Sequence, residues 1–134
     1  MPIDFSFGTN GKDHAELTCQ DKLYMNGRAV FSFTATTAPK HIQALLEKNN
    51  MSDEDIEKYY LHQGSKYIVD TIRKRLKVDE CKVLFDMAEY GNTVSSSIPI
   101  ILAKEMNGLP KGKIVLSAFG VGLSWASAII EKIK

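Results

Sequence analysis

Cysteine is scarce in this chain: Cys19 and Cys81 are the two in 134 residues. They are too few and too scattered for a disulfide framework or a zinc site, so no metal is expected and a cytoplasmic, reducing location is. Charge of one sign is missing as well. Lys+Arg 17 against Asp+Glu 16 leaves a net +1, which argues against a chain-wide polyanion binder and a nucleic-acid partner. No apolar run is long enough to cross a bilayer, so no membrane partner is expected. The start, Met1-Pro2-Ile3-Asp4-Phe5, lacks a basic region followed by an apolar core and does not read as a secretory signal. There is no P-loop, and Phe119-Gly120-Val121-Gly122 is too short and wrongly placed for a dinucleotide fingerprint. An activated nucleophile is also absent. Cys81 sits in the charged stretch Asp79-Glu80-Cys81-Lys82 and Cys19 in a polar one, neither beside a helix start that would lower a thiol pKa.

What is present suits one α/β domain with a real core, at 44% hydrophobic residues. Residues 1–25 are polar and turn-rich and read as an N-terminal arm, with short β segments near 3–7 and 15–19. A helical pattern runs from Arg28 to about Lys48, with Val30, Phe31, Phe33, Ala38, Ile42, Leu45 and Leu46 on one stripe. Pro39 should kink or split it. Ser52, with Asp55 three residues on, reads as a helix start. Tyr59-Tyr60-Leu61 is a brief strand, and Ser65 caps a helix to about Lys77 whose apolar stripe is Ile68, Val69, Ile72 and Leu76. Val83-Leu84-Phe85 reads as a short strand. Asn92 or Thr93 opens a helix to Asn107, with Ile98, Ile101, Leu102 and Met106 inward. Pro110-Lys111-Gly112 is a turn, and 113–118 and 123–130 are strands joined by Gly120-Val121-Gly122.

The chemistry collects at turns. His62 follows a strand and precedes a helix start, which is where α/β folds place ligands. Position alone supports a hydrogen-bonded turn histidine and a functional one equally. Asn92 after Gly91 reads first as a cap or a left-handed turn residue. His41, within a helical stretch, reads as solvated, and His14 lacks a setting like that of His62. An imidazole, a carboxamide and a Gly-rich backbone turn could together hold a developing oxyanion. Arg73-Lys74-Arg75 is either a solvated helix face or a patch for an acidic partner.

Read together, the motifs resemble a known family. Met25-Asn26-Gly27-Arg28-Ala29-Val30-Phe31 resembles Met-Asn-Gly-Arg-Glu-Val-Phe of the β-ketoacyl-acyl-carrier-protein synthase III family, in the thiolase-like superfamily. Leu61-His62-Gln63-Gly64-Ser65 resembles its Pro-His-Gln-Ala-Asn. The stretch from Tyr90 to Pro99, Tyr-Gly-Asn-Thr-Val-Ser-Ser-Ser-Ile-Pro, resembles its Tyr-Gly-Asn-Thr-Ser-Ala-Ala-Ser-Ile-Pro. Ala118-Phe119-Gly120-Val121-Gly122-Leu123-Ser124-Trp125 resembles its Gly-Phe-Gly-Gly-Gly-Leu-Thr-Trp. Order and spacing match the family's C-terminal half over residues 25–134.

The resemblance implies a thiolase-like half-fold, with layered helices on a mixed sheet of five-stranded type. Residues 26–134 would be the C-terminal domain, and 1–25 a remnant of the preceding half. It implies a decarboxylative Claisen condensation of acyl-CoA with malonyl carrier protein in fatty acid biosynthesis, with both as substrates and no cofactor. His62 and Asn92 would stabilise the enolate left by decarboxylation. The Val121 backbone N–H would form half of an oxyanion hole, and Phe119 would shield the departing carboxylate. Gly27, Ser65 and Gly120 would bind substrate, and Arg73, Lys74 and Arg75 would dock the carrier protein. His62 would be a neutral imidazole carrying its proton on the nitrogen facing substrate.

The family's nucleophilic cysteine belongs to its first half, and no cysteine here matches it. The chain should be inactive alone and partner that missing half, in a homo-oligomeric enzyme. Ser65 and Val121 depart from the family's Asn and Gly, and Tyr67 stands where many members carry an Arg that docks the carrier protein. The alternatives are a thiolase-like acyltransferase with a non-fatty-acid acceptor, a non-catalytic partner subunit, and a small binding domain.

Overall fold

The computed structural model describes residues 1–105, 107–108 and 111–132. A mixed four-stranded sheet forms its centre. Strand β1 (Pro2–Thr9) pairs antiparallel with β6 (Ser124–Lys132), which pairs antiparallel with β5 (Gly112–Gly120). In turn, β5 runs parallel to β4 (Ile56–Leu61). A small hairpin of β2 (Leu17–Cys19) and β3 (Leu23–Met25) stands apart from it. The helices are α1 (Gly27–Lys48), α2 (Lys66–Leu76) and α3 (Ser97–Glu105).

Alternation along the strands separates two apolar layers. Tyr59 and Leu61 of β4, Val115 of β5 and Ile129 of β6 face α1 and α2. There they meet Ala38, Ile42, Leu45, Val69 and Ile72. Tyr60 and Ile114 point the other way, onto Ile101 of α3. The sheet is therefore covered on both sides, the layered α/β architecture that the motifs imply.

Local signals place most boundaries. Asn26 accepts the Ala29 N–H and opens α1, and Ser65 accepts the Ile68 N–H and opens α2. Ser52 and Asp55 form a capping box, but it opens only one 3₁₀ turn before β4 begins. Pro39 lies buried inside α1 and does not split it. The hairpin of β5 and β6 turns at Gly122, whose φ of 135° belongs to glycine. At Gly8 a Cβ would sit 2.4 Å from the Trp125 ring, so only glycine lets β1 pass beneath that indole.

Several segments differ from the sequence expectation. Residues 2–9 extend the short β segment expected near 3–7 into a full strand paired with β6. The stretch 83–85 does not become a fifth strand: Val83 makes one isolated parallel bridge to Tyr59. The Gln63 amide takes over instead, donating to the Leu84 carbonyl (3.2 Å) and accepting the Asp86 N–H (3.0 Å), so a side chain replaces a ladder. The third helix begins at Ser97, after a 3₁₀ turn over Val94–Ser96 that follows Thr93, rather than at Asn92 or Thr93. Met106 and Pro110, read as inward-facing and as part of a turn, lie outside the described residues.

Candidate active site

The carboxyl ends of the parallel pair β4 and β5 open into a cavity of about 820 Å³. His62 stands there because its own backbone N–H continues the pairing, donating to the Ser117 carbonyl at 2.8 Å. Its side chain is 9% exposed, and its Nδ1 lies 2.8 Å from the Ser97 hydroxyl. The Phe119 ring meets the imidazole edge-on, with centroids 5.1 Å apart. Burial holds the His62 pKa below the ordinary histidine value, and the Val94 backbone carbonyl offsets this in part. The ring is therefore neutral at neutral pH.

Asn92 reaches the same cavity by a different route. It is exposed, and its carboxamide oxygen accepts the Val94 N–H at 2.9 Å. That local turn occupies the acceptor of the side chain and leaves the NH₂ end as a donor. The turn carries backbone strain at Val94, a β-branched residue with φ of 53°. It is tied down from both sides. Tyr90 donates to Asp86 at 2.5 Å, and Lys104 of α3 pairs with Asp86 at 2.8 Å. Lys104 and Tyr90 together hold the Asp86 carboxyl below the usual range.

All the residues expected to act on substrate line this one cavity: His62, Asn92, Phe119 and Val121, with Gly27, Ser65 and Gly120. Positive φ among described non-glycine residues falls on Asn50, Lys77 and Val94, so Val121 accepts its β-branched side chain without left-handed strain. Ser65 caps α2 with its hydroxyl and also faces the cavity. Gly27 is the first residue of α1. Both cysteines are exposed and outside the lining. The Asp79 carboxylate pushes the Cys81 thiol up, away from a reactive thiolate.

The basic run of α2 divides. Arg75 donates to the Ala35 carbonyl at 2.8 Å and to the Thr36 hydroxyl, pinning α2 to α1. Arg73 is half-buried and donates to the Val78 carbonyl at the end of its own helix. Lys74 is the exposed cation of the three that makes no such contact. His41 is not solvated as expected. Its nitrogens lie 3.0 Å from the Ser127 and Ser6 hydroxyls, between helix and sheet, and burial lowers its pKa.

Ser97, which lines the cavity, and Gln63, buried beside His62, had no expected role. Both stood inside quoted motifs. Their contacts join segments more than twenty residues apart, which spacing does not reveal.

The model for the C-terminal region of 3-oxoacyl-[acyl-carrier-protein] synthase III matches residues 46–132. The chain belongs to this synthase III C-terminal family. A β-ketoacyl-[acyl-carrier-protein] synthase III of Lactococcus lactis subsp. lactis is 47% identical over 114 residues, covering 81% of this chain and 35% of the relative. That of Clostridium perfringens is 37% identical over 134 residues, covering 98% of this chain and 40% of the relative. The crystal structure of 3-oxoacyl-(acyl carrier protein) synthase III from Pseudomonas aeruginosa PAO1 superposes with a TM-score of 0.93 at 28% identity. It covers 99% of this chain and 44% of that one. The synthase III region seen here thus spans 35% and 40% of the length of these two curated relatives.

Proposed function

We propose that this chain is the C-terminal catalytic part of a synthase III-type acyltransferase, joining an acyl group from acyl-CoA to malonyl carrier protein. The observation that carries the reading is the convergence of two donors, His62 and Asn92, on one cavity with Phe119 against the imidazole. Loss of carbon dioxide from a malonyl thioester leaves an enolate, and the electron pair of the broken bond moves toward the thioester oxygen. Fixed donors aimed at that oxygen stabilise the transition state, each by roughly 3–4 kcal/mol. The enolate carbon then attacks the carbonyl of an acyl-cysteine, a new carbon–carbon bond forms, and the cysteine sulfur leaves as thiolate. The Val121 N–H is half of the hole that holds the second oxyanion. Gly27, Ser65 and Gly120 wall the substrate channel.

The cysteine comes from the half that this chain does not contain, so the chain alone does not condense. Acyl-CoA and malonyl carrier protein are substrates, and the reaction itself requires no redox cofactor. An acidic carrier protein would meet α2 chiefly through Lys74, since Arg73 and Arg75 are engaged within the fold. Steering by one exposed cation is weak and salt-sensitive. The assembled enzyme is expected to be a homo-oligomer in the cytoplasm. No helix among the described residues is long and apolar enough to cross a membrane. One observation favours a different acceptor: Tyr67, where many members of the family carry Arg, stacks on Phe31 at 5.0 Å and presents an aromatic surface in place of a charge.

The test is release of carbon dioxide from malonyl carrier protein by the full protein that carries this chain. His62→Ala and Asn92→Asp should each slow it roughly 10²- to 10³-fold. Asn92→Asp keeps an acceptor for the Val94 N–H and replaces the NH₂ donor by a negatively charged oxygen, which repels the developing oxyanion. Wild-type rates in both variants would overturn the reading.

A further inference from the structure

We infer that Ser97 is a positioning residue, whose hydroxyl proton sits on His62 Nδ1 and so fixes the hydrogen of the imidazole on Nε2, as a donor. This rests on the reading of His62 as the enolate's partner and adds the device that sets its tautomer. A hydroxyl has one proton to give and two lone pairs to accept with. The Ser97 side chain has two partners among the described residues: His62 Nδ1 at 2.8 Å and the Gln63 backbone N–H at 3.4 Å. The Gln63 N–H can only donate, so it takes a lone pair. If Nδ1 also donated, the hydroxyl proton would be left without an acceptor, in a residue 4% exposed. A buried donor without a partner is costly. The arrangement that satisfies the Ser97 hydroxyl with both of its partners has Ser97 donating to Nδ1, and a neutral ring then carries hydrogen on Nε2.

The fold makes this contact dependable. Ser97 begins α3, whose Ile101 packs on Tyr60, and Tyr60 lies two residues before His62 on β4. Helix and histidine are therefore held by the same apolar layer.

The experiment uses the full protein carrying this chain, with ¹⁵N-labelled histidine and a long-range ¹H–¹⁵N correlation at neutral pH. The His62 signals are assigned by their loss in His62→Gln. The expected result is a protonated-type Nε2 and an unprotonated-type Nδ1. Ser97→Ala should shift the ring toward a mixture of tautomers and slow malonyl decarboxylation roughly tenfold, the weight of one hydrogen bond. Ser97→Thr keeps the hydroxyl and should restore both readouts. An Nδ1–H ring in the wild type overturns the inference, and so does a tautomer unmoved in Ser97→Ala. If Ser97→Ala fails to fold, the wild-type spectrum still decides the tautomer. The two readings fail separately. A normal decarboxylation rate in His62→Gln would sink the catalytic role while leaving the tautomer assignment standing.

Discussion

The two walls of the cavity are built in opposite ways. The His62 wall grows out of the sheet: Leu61 is 1% exposed, His62 is 9% exposed, and the backbone of His62 bonds across to Ser117. The Asn92 wall is surface structure, a 3₁₀ turn with Val94 70% exposed and held by side-chain ties. The first is precise because the core leaves it no alternative. The second is precise because Asn92 closes its own turn and Asp86, Tyr90 and Lys104 anchor the approach to it. One cavity thus combines a donor positioned by tertiary packing with a donor positioned by local hydrogen bonds. Damage should therefore spread differently from each.

Breaking the packed wall should have the largest effect on the fold. Leu61→Ala removes a fully buried side chain next to His62 and should cost roughly 2–5 kcal/mol, read as a lower urea midpoint. A loss no larger than a surface substitution would show that the core does not hold this wall. The surface wall should respond in the reverse direction. Val94→Asn places a residue that tolerates left-handed backbone at a φ of 53°. It should raise stability by about 1 kcal/mol in the same measurement. A lowered midpoint would show that the valine side chain gains more from the cavity than its backbone loses.

The same contrast explains what was legible in the sequence. Features written in neighbouring residues came through: the cap at Ser65, the Ser52 and Asp55 pair, and the turn between β5 and β6. The ordered motifs led to one cavity. What stayed hidden depends on partners distant in the chain. The β segment near residues 3–7 is visible in the sequence, but its pairing partner lies beyond residue 123 and is not. His41 looks solvated until Ser6 and Ser127 are brought to it. Residues 83–85 carry β-formers, but the Gln63 amide holds their backbone instead of a ladder. Arg73 and Arg75 read as free charge because the carbonyls they bind leave no mark in a sequence.

The smallest expected effect separates the walls by pH. Burial lowers the folded pKa of His62, so between that value and the unfolded value of about 6.5 the unfolded chain binds more protons. Stability from this wall is complete above about pH 6.5 and declines as pH falls toward the folded value. His41 shifts in the same direction and contributes its own share. Asp86, held down by Lys104 and Tyr90, acts lower. Its contribution is complete above the ordinary aspartate value of about 3.9 and is lost as pH falls from there through its folded value. Urea midpoints followed against pH should therefore show a first decline that His62→Gln reduces and Asp86→Asn leaves in place. A second decline in acid should be reduced only by Asp86→Asn. If Asp86→Asn instead removed the decline below pH 6.5, the two walls would be electrostatically one unit. The division between a packed donor and a turn-held donor would then fail.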